Sequence, residues 1–162
     1  MLITKILCYV LILLCGGFNT VTFDNIADSF TMATEMVVTI NNTETKLSKG
    51  DEKFEKILNG LEKVTSNSRE MPAFGVSLDK QTKEEMNKGV WLELCFNKVY
   101  YSNDLPFEGL LIKVEKGHQG FNLIRRTNGK YEGRCFYLDL EGDMTALVEA
   151  IEQTSLNNKT KD

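Results

Sequence analysis

Two alternating stretches closed by Asn128-Gly129 constrain this chain more than any other feature. Residues 121–127 and 130–138 flank that dipeptide, which suits a two-residue turn whose central residues both take positive φ. Such a turn sets the register, so the pairing can be written from the sequence. Thr127 opposes Lys130, Arg126 opposes Tyr131, Arg125 opposes Glu132, Ile124 opposes Gly133 and Asn122 opposes Cys135. Arg125 and Glu132 become an opposite-charge cross-strand pair. One face carries Phe121, Leu123, Phe136 and Leu138 and reads as the core side. The other carries Asn122, Ile124, Arg126, Tyr131, Cys135 and Tyr137.

Similar alternation runs through residues 90–97, with Val90, Leu92, Leu94 and Phe96 on one side and Trp91, Glu93, Cys95 and Asn97 on the other. It recurs over 107–115, where Leu110, Ile112 and Val114 point inward. A shorter extended piece covers 72–78, and β-branched residues around Asn41-Asn42 mark a hairpin. Phe54, Ile57, Leu58, Leu61 and Val64 recur at helical spacing after Ser48 and Asp51, a capping-box-like start. Met144, Leu147, Val148 and Ile151 mark a second amphipathic helix with Asp143 as its cap. Residues 81–88 are charged and allow one helical turn before Gly89. Strands and helices do not alternate regularly along the chain. The expected fold is therefore α+β, a mainly antiparallel sheet of about five to seven strands with two amphipathic helices on one face.

The first seventeen residues place that domain in a compartment. Lys5 precedes an apolar run from Ile6 to Leu14, and Cys15-Gly16-Gly17 supplies small residues. Charge, short apolar core and small residues in that order form a secretory signal, too short for a comfortable span of about 20 apolar residues. Cleavage after Gly17 is expected. Lipid attachment at Cys15 is a second option, disfavoured by the bulky Leu14 before it, and an uncleaved N-terminal anchor is the third. A polar lead-in over 18–29, one domain over 30–154 and a polar tail over 155–162 complete the division.

Without Lys5 the chain has 18 basic against 23 acidic residues, a net charge of −5. Nucleic acid and anionic lipid both call for clustered Lys and Arg, so neither is an expected partner. Cys95 and Cys135 alone remain in the exported part, and an oxidising compartment suggests one disulfide between them. With no CxxC and one histidine, His118, no zinc site can be assembled, and no cofactor is expected. Asp139, Glu141 and Asp143 alternate as calcium ligands do, but Met144 and Ala150 fall where an EF-type loop needs Gly and Glu. Asn41 and Asn158 head N-x-[ST] sequons.

The sheet face opposite the helices is the candidate binding surface. Trp91, Tyr131 and Tyr137 with Glu93, Asn122 and Arg126 form a mixed aromatic and polar patch of the kind binding surfaces favour. The glycine-flanked loop around His118, residues 117–120, is the second candidate. The functional expectation is a non-catalytic binding module at the cell envelope or outside the cell, for a protein segment, an envelope polymer or a small ligand. The alternatives are a subunit docking through its sheet face or strand edge, and an enzyme using Cys95 or Cys135 with His118.

Overall fold

The computed structural model describes residues 20–73 and 75–156, so the export segment, Cys8, Cys15 and the Asn158 sequon lie outside the described residues. Within them, the alternating stretches build a nine-stranded, mainly antiparallel sheet in an α+β domain. Its strands are β1 (Thr22–Phe23), β2 (Glu35–Ile40), β3 (Thr43–Ser48), β4 (Arg69–Met71), β6 (Val90–Ser102), β7 (Leu105–Val114), β8 (Gly120–Thr127), β9 (Lys130–Tyr131) and β11 (Phe136–Asp139). The order across the sheet is β3-β2-β6-β7-β8-β11-β4, with β1 parallel to β6 and β9 beside β8. A separate two-stranded pair joins β5 (Val76–Ser77) to β10 (Gly133–Arg134).

Helix α1 (Glu52–Thr65) and helix α3 (Thr145–Leu156) cover one face. Phe54, Ile57, Leu58 and Leu61 of α1 are buried with Leu94, Leu110, Leu123, Phe136 and Leu147 in the main core. The start of α1 differs from the capping-box reading. Asp51 is itself the N-cap; its carboxylate accepts from Ser48 N at 2.7 Å, as in a capping box, but Asp51 N donates to the Ser48 carbonyl at 3.0 Å and not to its hydroxyl. The expected polar lead-in is more than that in its described part: β1 docks on β6, and a 3-10 helix over Ile26–Met32 buries Ile26 and Phe30 completely. Glu70 fastens that segment, accepting from Ile26 N at 2.7 Å and from Asn103 Nδ2 at 2.8 Å.

Among the described residues three tight hairpins use left-handed residue pairs, at Asn41-Asn42, Asn103-Asp104 and Asn128-Gly129. The middle one was not anticipated, because the 90–97 alternation breaks at an irregularity between Cys95 and Tyr100 before β6 resumes.

The last hairpin departs from the expected register. Arg126↔Tyr131 and Thr127↔Lys130 pair as written, and then Gly133 takes φ +97°. A side chain resists that conformation and glycine does not. The strand swings out there, β10 pairs with β5, and the ladder resumes at Phe136↔Leu123 and Tyr137↔Asn122. The expected pairs Asn122–Cys135, Ile124–Gly133 and Arg125–Glu132 therefore do not form. Arg125 instead donates to two carbonyls, Nε to Arg134 O at 2.7 Å and Nη1 to Pro106 O at 2.5 Å. The detour adds two residues, which preserves the alternation, so Phe121, Leu123, Phe136 and Leu138 face the core as expected.

Candidate functional site

The face opposite α1 and α3 is not open. Helix α2 (Asp79–Glu85), which the charged stretch 81–88 had barely suggested, lies over it. Thr82 is buried, and Met86 packs against a second cluster of Trp91, Leu111 and Tyr131. Two hydrogen bonds pin this cover: Tyr131 N donates to Asp79 Oδ1 at 2.9 Å and the Trp91 indole N–H to Lys88 O at 2.9 Å. Trp91 is 1% exposed.

Beneath the cover Glu93, Arg126 and Tyr131 satisfy one another. Arg126 Nε donates to Glu93 Oε1 at 2.5 Å and the Tyr131 hydroxyl to Glu93 Oε2 at 2.8 Å. Arg126 Nη1 reaches Glu108 Oε1 at 3.3 Å. Glu93 and Arg126 stand on strands separated by β7, and Gly109 lets them meet. A Cβ there would lie 2.8 Å from Arg126 Nε and 2.9 Å from Glu93 Oε1. Burial, then the Glu93 charge, pushes the Tyr131 phenol far above its ordinary value and keeps it protonated. Trp91, Glu93 and Tyr131 are thus buried in a structural layer, with Arg126 reaching partly to its surface and Trp91 at the edge of a cleft.

The two cysteines share the outer face, as the alternation implied, but not a neighbourhood. Cys95 lies on β6 and Cys135 just before β11, with β7 and β8 between. Three strand spacings of about 4.8 Å separate them by roughly 14 Å, twice the reach of a disulfide. Both are free thiols, which corrects the expected bridge. Burial, then the Glu93 charge, raises Cys95 to about 11, so it is a neutral thiol and a poor nucleophile near pH 7.

Asn122 and Tyr137 remain accessible, and the structure brings them to the 117–120 loop. They line a cleft of about 320 Å³ with Lys113, Glu115, His118 and Gly120. Gly120 is needed for the arrangement: a Cβ there would sit 2.7 Å from Tyr137 Cζ and 2.9 Å from Leu138 O. Glu115 pairs with Lys113 at 2.9 Å, and His118 Nε2 lies 3.7 Å from the same carboxylate along the rim. A second lobe of about 180 Å³ adjoins it, sharing Glu85, Asn122 and Ile124, and reaches Val76, Leu78 and Cys135. Val76 and Leu78 are 69% and 60% exposed, an apolar lip on this lobe.

The two clefts thus adjoin at Glu85, Asn122 and Ile124, between α2 and the β8–β11 surface, with exposed apolar residues on one and charged residues on the other. Sequence reasoning missed Glu85, Val76 and Leu78. Their only signal was an uncharged run, 71–78, placed directly before a charged helical turn. Among the described residues no group of three or more His, Cys, Asp and Glu is placed to hold a metal, and no helix is long and apolar enough to cross a membrane. No protein-family model, no curated protein and no solved structure matches this chain.

Proposed function

We propose that this chain is an exported, non-catalytic binding module that takes up an extended segment of a partner polypeptide in the groove beside α2. The observation that carries the reading is that the two clefts adjoin and share Glu85, Asn122 and Ile124. A strand-like segment suits two adjoining clefts lined by strand side chains, where the Asn122 amide can both donate to and accept from a peptide group. The exposed Val76 and Leu78 favour an apolar residue at one end of the segment. Glu85, on the wall common to both lobes, favours a basic residue next to it. At the far end Lys113 and Glu115 pair at the solvated rim, which suits recognition more than proton transfer.

Selection of a random peptide library on the purified protein tests this. Enriched peptides should carry an apolar and a basic residue. Asn122→Trp, an exposed strand position that tolerates an aromatic side chain, should abolish their binding, and Glu85→Lys should turn the preference acidic. No enrichment, or equal binding by Asn122→Trp, sinks the reading.

Export is supported by the charge, apolar run and small residues of the first seventeen positions. The intact mass of protein from its own host is expected to begin at Phe18 and not to change on reduction, because Cys95 and Cys135 do not meet. A retained leader, or a mass that rises with reductant, contradicts the one or the other.

A further inference from the structure

The open edge of the sheet carries a pattern that fits a second copy of the same chain. β3 is a terminal strand, so among the described residues nothing pairs with its outer side. Lys49 N donates to Thr34 O at 3.0 Å, in register with the β2–β3 ladder. Odd-numbered residues of this strand therefore turn their backbone groups toward β2, and Glu44, Lys46 and Ser48 turn theirs outward. Ser48 is already occupied, its N–H by the Asp51 carboxylate at 2.7 Å and its carbonyl by Asp51 N at 3.0 Å. That leaves Glu44 and Lys46 offering an unused N–H and C=O each.

We infer that β3 pairs antiparallel with β3 of a second copy about a two-fold axis at Thr45. Outward-turned residues can meet only outward-turned residues, which restricts the register to axes one residue apart. An axis at Glu44 sets Glu44 against itself, and an axis at Lys46 sets Lys46 against itself. Only the axis at Thr45 sets Glu44 of each copy against Lys46 of the other, with the backbone groups of that pair exchanging hydrogen bonds. Charges on an edge strand ordinarily block pairing with other chains. Here they exclude general partners and the shifted registers while favouring this one. Both side chains are exposed and lie on the same sheet face, and Thr45 meets its own copy on the other. Asp51 closes the seam at Ser48, so the interface is small and its association weak and reversible.

Sedimentation velocity of the purified protein from micromolar to near-millimolar concentration tests the pairing. The wild type should show a concentration-dependent monomer–dimer equilibrium that weakens with salt. Lys46→Glu and Glu44→Lys should each weaken association at least about tenfold by setting like charges opposite one another. An equimolar mixture of the two single variants, or the double variant carrying both exchanges, should restore it. Circular dichroism reports whether each variant stays folded, as these exposed positions predict. A wild type that stays monomeric throughout overturns the inference. So does a dimer indifferent to the single reversals, or a mixture that fails to associate.

Discussion

Replacing Arg126 with methionine is expected to destabilise the domain by about 3 kcal/mol, read as a lower urea midpoint at unchanged slope. The variant keeps the aliphatic packing over Gly109 but leaves the Glu93 carboxylate under α2 with only the Tyr131 hydroxyl as donor. Glu93 is 7% exposed, too dry for water to take the place of a guanidinium. Removing one partner of a buried pair costs about 3–5 kcal/mol, and the lower end applies because Arg126 reaches solvent along part of its length. Adding Glu93→Gln to Arg126→Met should recover about half of the loss, since a neutral amide is cheaper to bury than an unpaired charge. A cost below about 1 kcal/mol for Arg126→Met would mean that the pair behaves as a surface salt bridge and that α2 does not seal this layer.

Gly120→Val should cost about 2–3 kcal/mol and damage the groove in the same step. Its Cβ would intrude on two neighbours of different compliance. Tyr137 can rotate away, which removes it from the cleft floor. Leu138 O cannot, because it belongs to the β8–β11 ladder that pairs Leu138 with Phe121. Tyr137→Ala in the Gly120→Val background should therefore relieve only part of the loss. Full recovery would place all the strain in the tyrosine ring. A Gly120→Val protein as stable as wild type would show that the close approach of Tyr137 to Gly120 is not required.

Much of the fold could be read from the chain because its strands alternate over one dominant core. Leu92, Leu94, Leu110, Ile112, Leu123 and Phe136 all face the side the pattern assigned, and Phe54 to Leu61 form the helix their spacing describes. The outer layer was less legible for a physical reason. Helix α2 and its C-cap set Thr82 and Met86 against the sheet, too few apolar positions to mark a buried helix face within Gln81–Lys88. Nothing in that segment therefore marked it as the cover of Trp91 and Tyr131. Register failed where a single backbone conformation decided it, at Gly133, since a two-residue turn controls only the pairs beside it. The disulfide failed on sheet order. Alternation says which face a cysteine shares, not how many strands lie between it and another. Of the candidate site, Asn122 and Tyr137 remain with the His118 loop, while Glu93, Arg126, Trp91 and Tyr131 form the layer that holds α2 in place.

That layer contains the only tryptophan of the chain, with its indole bonded to Lys88 O just beyond α2. Its fluorescence therefore comes from the smaller cluster and not from the main core. Lifting α2 would expose the ring and redden its emission while α1 and α3, on the opposite face, still dominate the far-ultraviolet circular dichroism. The two sides of the sheet thus carry separate optical signals. Local opening of the groove wall can be followed spectroscopically below the temperature at which the whole domain unfolds.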